Sequence, residues 1–170
     1  MELLIFQLLC KLLKSNATLL SIAIHQRAKF EGWLKFELAK ELKKSYKDTR
    51  VEEHSNGSLV DIFTNSSLLE LKTPNTSYTN NNCINKVCAI TDNINGIISD
   101  IQKLRSINNT CTKYHNGYIA FVLFPIDNGN KYQAHINKIR SSLGAYTSYI
   151  HDGVLAIKGV PVYVFVAKVF

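Results

Sequence analysis

Three side chains in the first half of the chain have the types and spacing to hold a divalent cation beside an amine. They are Asp61 in Val60-Asp61-Ile62-Phe63, and Glu70 and Lys72 in Ser67-Leu68-Leu69-Glu70-Leu71-Lys72-Thr73-Pro74. The apolar runs on either side of Thr64-Asn65-Ser66 read as a β-hairpin. Side chains alternate along a strand, so Leu68, Glu70 and Lys72 share one face, with Glu70 and Lys72 about 7 Å apart, while Leu69 and Leu71 share the other. Asp61 reaches the first face if the hairpin register allows it. Two acids and a lysine embedded among apolar residues cost free energy unless something binds there. A Mg²⁺ ion held by the Asp61 and Glu70 carboxylates, with the Leu71 carbonyl as a third oxygen, would offset that cost and acidify a bound water. Lys72 would then orient or deprotonate that water, or neutralise developing charge. The plain structural alternative is an Asp in a turn plus a Glu/Lys pair on a solvated sheet face, worth a few tenths of a kcal/mol.

The elements that must position these groups follow from periodicity. From about residue 18 to 44 the pattern predicts one long helix, free of proline, with an apolar stripe of Leu20, Ile24, Phe30, Trp33, Leu34, Leu38 and Leu42. Ser15 or Asn16 would cap it. In this phase Glu31 and Lys35 form an i,i+4 pair on the solvated side. Glu37 follows Leu34 by three and Trp33 by four, at the edge of the buried face, with Glu41 next along the stripe. Glu37, rather than Glu31, is therefore expected to point at the acids, the alternative being a rim carboxylate that snorkels to water. Residues 50–54 predict a first strand, whose Glu52, Glu53 and His54 discourage edge pairing. Ser55-Asn56-Gly57-Ser58 is a tight hairpin turn, and residues 59–63 and 67–72 complete a three-strand meander. Pro74 ends the last strand. The asparagine-rich loop 75–82 follows Lys72 directly, a position from which loops often touch substrate. Ile90, Ile94, Ile97, Ile98, Ile101 and Leu104 mark a helix, and residues 117–125 a strand buried on both faces. Asn128-Gly129-Asn130 turns into a helix over 132–143, and strands follow at 154–157 and 160–169.

Asp61, a short spacer and Glu70-Leu71-Lys72 on the next strand resemble the signature of the PD-(D/E)XK nuclease superfamily, with Val60 standing where proline usually precedes the aspartate. The run 30–39 looks like the helix that carries a further glutamate in many members, here Glu37. The resemblance covers residues 30–125. It implies an α/β, restriction-endonuclease-like fold: an α-β-β-β-α-β core with a mixed central sheet flanked by helices, plus an extra N-terminal helix and C-terminal strands. It also implies a DNA endonuclease using Mg²⁺, with Mn²⁺ able to substitute. Asp61, Glu70 and the Leu71 carbonyl would be the ligands, Lys72 the catalytic lysine, and Glu37 part of a second-ion or water-mediated shell. A homodimer is expected, because duplex cleavage needs two sites. Resolvase, restriction and repair enzymes share these features, and no base-reading element is identifiable. Two other readings stay open: a DNA-binding module that keeps the fold without cleaving, and a structural interaction protein assembled through its N-terminal helix.

Composition agrees with a polyanion partner. The 170 residues suit one domain, and 20 Lys and Arg against 13 Asp and Glu leave a net charge of +7. Lys86, Lys103, Arg105, Lys138 and Arg140 are the candidates to hold DNA phosphates, although Lys103 and Arg105 also suit a helix C-terminus. Cys83, Cys88, Cys111 and His115 form a zinc set only on paper, because the turn glycines of such sites are missing. Free thiols in a reducing cytoplasm fit better. The Asn-x-Ser/Thr triplets at Asn16, Asn56, Asn65 and Asn75 are what an asparagine-rich chain produces by chance. At the N-terminus Glu2 leads and Lys11 and Lys14 close, the reverse of a secretory signal. The apolar run there is too short for a bilayer, so residues 1–15 predict a packing or dimerisation helix. No membrane and no small-molecule cofactor are expected.

Overall fold

The computed structural model describes every residue except Asn56 and Asn128, on which two of the expected turns fall. Its elements are α1 (Glu2–Ser15), α2 (Ala17–His25), α3 (Glu31–Ser45), β1 (Thr49–Ser55), β2 (Ser58–Thr64), β3 (Ser67–Lys72), α4 (Ile90–Thr110), β4 (Asn116–Leu123), α5 (Tyr132–Leu143), β5 (Ile150–Ile157) and β6 (Val160–Lys168). A 3₁₀ segment, Gly144–Tyr149, joins α5 to β5. The six strands form one sheet in the order β1-β2-β3-β4-β6-β5. β3 and β4 run parallel and the other neighbours antiparallel. The chain is thus α/β, with a mixed sheet flanked by helices.

Two apolar cores lie on the two faces of that sheet. On one, Ile5, Leu9 and Leu13 of α1 and Leu34, Leu38 and Leu42 of α3 pack on Leu69, Leu71, Ala120 and Val122. On the other, Ile94, Ile97, Ile101 and Leu104 of α4 and Ile136 and Ile139 of α5 pack on Leu68, Ile119 and Phe121. β4 is buried from Gly117 to Leu123 because it sits mid-sheet with helices over both faces, which is why its sequence is a continuous apolar run. β3 feeds both cores by alternation, Leu69 and Leu71 to one and Leu68 to the other.

The single long helix expected over 18–44 is two helices. The chain breaks at residues 26–30, where Arg27 adopts a positive φ of 51°. Arg27 is 1% exposed. Its guanidinium donates to the carbonyls of Ile84 (2.7 Å), Tyr78 (2.7 Å) and Thr76, and its own carbonyl accepts from Asn75 Nδ2 at 2.6 Å. The apolar stripe steps by six residues from Ile24 to Phe30, out of helical phase, and these bonds to a loop some fifty residues away fix where α2 stops. They also pin the asparagine-rich loop to the body.

β5 begins four residues earlier than its apolar period suggests, because His151 to Gly153 pair with Val166 to Val164 of β6. α1 packs within its own chain, on the sheet and α3, and meets α2 at 85°. Among the described residues no single helix is long and apolar enough to cross a membrane. Cys83 packs in the α1–α3 core and Cys111 against the α4–α5 core, so the paper zinc set is split between the faces of the sheet.

Candidate active site at the fork between β2 and β3

The β2–β3 hairpin closes with Asn65 and Ser66, both at positive φ (47° and 56°), the backbone a two-residue type I′ turn requires. That turn sets the register: Thr64 opposite Ser67, Phe63 opposite Leu68, Ile62 opposite Leu69. One step on, where a regular register would set Asp61 against Glu70, the ladder between β2 and β3 ends. The ladder to β1 skips the step from Glu52 to Asp61, and Glu52 has a positive φ of 55°. Val60 and Ile62 point into opposite cores, although residues two apart on a regular strand share a face. β2 therefore rotates about Asp61, as strands do at bulges. The side chain turns into the gap, and its Oδ2 accepts the Leu71 N–H at 2.9 Å.

Within a strand the N–H and C=O of one residue leave on the same side. The Leu71 carbonyl consequently faces the same gap as the Asp61 carboxylate. Asp61 does not lie flat on the face of Glu70 and Lys72, as the simplest alternation has it. It sits in the plane of the sheet, where its charge acts on both.

Helices supply the partners from each side. From α4, Lys103 brings Nζ to 2.5 Å from Glu70 Oε1 and 3.6 Å from Asp100 Oδ1, and donates to the Leu59 carbonyl at 3.0 Å. Lys72 Nζ lies 3.4 Å from Asp100 Oδ2 and 3.5 Å from Glu31 Oε1. The other Glu31 oxygen accepts the Thr73 N–H at 3.3 Å. From α3, Lys35 Nζ lies 3.5 Å from Asp61 Oδ1 and 2.9 Å from Glu52 Oε1.

Glu70 is 2% exposed, and burial pushes its carboxyl up to about 8; Lys103 opposes the rise, while Asp61 and Asp100 add to it. Burial alone would lower Lys72, but the carboxylates of Asp100, Glu31, Asp61 and Glu70 outweigh it and raise the amine. Lys72 is thus held as an ammonium. In this arrangement it suits orienting a water or neutralising charge better than taking a proton.

The sequence-based choice of Glu37 is overturned. Its Oε2 pairs with Lys40 at 2.5 Å on the outer side of α3, and Glu31 turns inward instead. Glu31 precedes Leu34, Leu38 and Leu42 by three, seven and eleven residues, so it lies in the middle of the inner stripe. Counting half-buried Trp33 as core moved the apparent centre toward Glu37. The Glu31–Lys35 surface pair is absent for the same reason: Lys35 goes to Asp61 and Glu52. Asp100 was also legible, three residues after Ile97 and four before Leu104 on the buried stripe of α4.

Three of the five proposed phosphate holders are engaged internally. Lys103 sits on Glu70. Arg105 donates from Nη1 and Nη2 to the carbonyls of Ser142 and Leu143, both at 2.8 Å, closing the C-terminus of α5. Arg140 pairs with Asp152, whose carboxylate also accepts from the Tyr163 hydroxyl. Lys86 and Lys138 remain on the surface, Lys138 with a bond to Asn95 Oδ1 at 2.9 Å.

Among the described residues no group of three His, Cys, Asp or Glu side chains is placed to hold a metal ion. The donor set at the fork is of another kind: two carboxylates, Asp61 and Glu70, and one main-chain carbonyl. Its hard oxygens suit Mg²⁺ in type. Glu70 Oε1 is buried and outside hydrogen-bond geometry with any donor, although the Lys103 ammonium touches it. Cavities of about 340 and 580 Å³ flank α2, and none of the acids lines them. No family model, curated protein or solved structure matches the chain.

Proposed function

We propose that this chain is a metal-dependent deoxyribonuclease of the PD-(D/E)XK kind, hydrolysing phosphodiester bonds of DNA. The observation that carries the reading is the placement of Asp61 at the sheet fork, where its carboxylate accepts the Leu71 N–H between Glu70 and Lys72 and its charge acts on both. An isolated Glu/Lys pair on a solvated face would need neither the rotated strand nor a 2% exposed carboxylate. The order α3-β1-β2-β3-α4-β4, a meander followed by a parallel strand, supports a restriction-endonuclease-like core.

In this reading Asp61, Glu70 and the Leu71 carbonyl would hold Mg²⁺ or Mn²⁺. The bound ion supplies charge stabilisation at the phosphate and an acidified water. Lys72 keeps its positive charge beside that position and orients the attacking water or balances the charge that grows on the phosphate. Glu31 takes the role of the helix acid and, with Asp100, fixes the Lys72 ammonium. Lys86 and Lys138, both exposed on the surface, are available to DNA phosphates, and a homodimer would supply the second site for duplex cleavage.

The test is nicking of supercoiled plasmid with Mg²⁺, Mn²⁺ or EDTA, alongside calorimetric metal titration. Asp61→Asn should weaken metal binding and recover partly at high Mn²⁺. Lys72→Ala should bind metal and still lose roughly 10²- to 10⁴-fold in rate. Near-wild-type nicking by Lys72→Ala would remove the main support for the reading.

A further inference from the structure

We infer that Lys103 is a built-in counter-cation of this site, so that a divalent ion reaches Glu70 only by displacing the Lys103 ammonium. The inference rests on the nuclease reading for the identity of the incoming ion. Its own basis is the α4 side of the site, which the Glu-x-Lys motif does not include.

A carboxylate as buried as Glu70 is costly to ionise without a partner. Lys103 is that partner, 2.5 Å from Oε1, while Lys72 pairs with Asp100 and Glu31. The lysine of the motif is therefore not the competitor. Three features make the Lys103 contact exchangeable rather than a permanent strut. Glu70 Oε1 has no hydrogen bond of good geometry, so proximity of charge holds the contact. The Lys103 side chain is 28% exposed against 2% for Glu70, so the ammonium has a way out toward solvent. Asp100 Oδ1 stands 3.6 Å from Nζ, which leaves the departing ammonium a second carboxylate. A divalent ion and an ammonium on the same carboxylate oxygen repel strongly, so metal loading becomes an exchange. Asp61, by contrast, keeps its Leu71 N–H bond throughout.

The probe is Mn²⁺, read by titration calorimetry and by the Mn²⁺-induced rise in Tm, on the wild type, Lys103→Met and Lys103→Arg. Lys103→Met keeps the stem and removes the charge. It should bind Mn²⁺ at least tenfold more tightly and show the larger Tm rise, because no ammonium then has to leave Glu70 or stay beside the incoming ion. Lys103→Arg should stay near the wild type. If Lys103→Met needs Mn²⁺ to fold, Mn²⁺-dependent refolding supports the exchange, and Lys103→Gln takes its place in the titration. Equal or weaker Mn²⁺ binding by the neutral variants overturns the inference while leaving the nuclease reading intact, provided the wild type binds Mn²⁺ and Asp61→Asn does not. Tighter binding by Lys103→Met without plasmid nicking by the wild type keeps the exchange and removes the nuclease. Absence of saturable Mn²⁺ binding in every form removes both.

Discussion

Glu31→Gln and Glu37→Gln make the sharpest test of how α3 serves the site. Lys72 has two carboxylates close by, Glu31 at 3.5 Å and Asp100 at 3.4 Å. The glutamine keeps an oxygen for the Thr73 N–H but removes one of those two charges. At 3.5 Å a pair of unit charges attract by about 1 kcal/mol in water and about 5 kcal/mol at an effective dielectric constant near 20. Both side chains are about three-tenths exposed (31% and 28%), so the lower half of that interval applies. Since 1.4 kcal/mol is tenfold, the loosened Lys72 should lower the turnover rate by roughly 10- to 100-fold. Glu37→Gln breaks only an i,i+3 surface pair with the exposed Lys40 and should leave the rate within about twofold. Initial rates of plasmid nicking at saturating Mg²⁺ compare the two, with thermal melting to show that both variants are folded. A larger loss for Glu37→Gln than for Glu31→Gln would refute the assignment of the inner face.

Arg27→Met should be the most damaging single change outside the site. It strips the donors from three carbonyls, only that of Thr76 in a fully buried bond, and an unsatisfied buried acceptor costs about 1–3 kcal/mol, so urea melts should show a loss of about 2 kcal/mol or more; a loss under about 1 kcal/mol would mean the loop closes without the clasp. Asp127 carries a pH dependence: burial opposes its ionisation, but the N–H groups of Lys131 and Tyr132 outweigh it and hold the carboxyl below its ordinary 3.8. A depressed carboxylate contributes stability above its unfolded pKa, and loses it as pH falls through the folded value. Asp127→Asn, which keeps a capping oxygen and loses only a solvent-screened charge, should therefore cost a few tenths of a kcal/mol at pH 7, roughly 1 °C in Tm, and the gap should close as pH falls below about 3.8; a gap independent of pH would show that the charge contributes nothing at the start of α5.

Much of this chain can be read locally. The extents of β3 and α5, a hairpin turn within Thr64-Asn65-Ser66, the central place of β4 and the helical stripe of α4 follow from period, turn chemistry and apolar runs. Each depends only on near neighbours and on whether one face or two are buried. The Glu70–Lys72 face was legible for that reason. Glu31 and Asp100 were legible in principle too, since both lie in register with fully buried leucines or isoleucines, and the reading of Glu37 failed by weighting one half-exposed tryptophan.

Other features have no local cause. The clasp that ends α2 depends on the Arg27 guanidinium finding three carbonyls in a distant loop. The rotation of β2 at Asp61 comes from partners on either side, the Leu71 N–H on β3 and Lys35 on α3. The lysines likewise separate only in three dimensions. A surface cation, a helix cap such as Arg105 and an internal counter-ion such as Lys103 carry the same letters and the same charge in a sequence. Periodicity reports whether a side chain is buried; which charge it meets there depends on the packing of elements far apart in the chain, and that is a property of the tertiary structure alone.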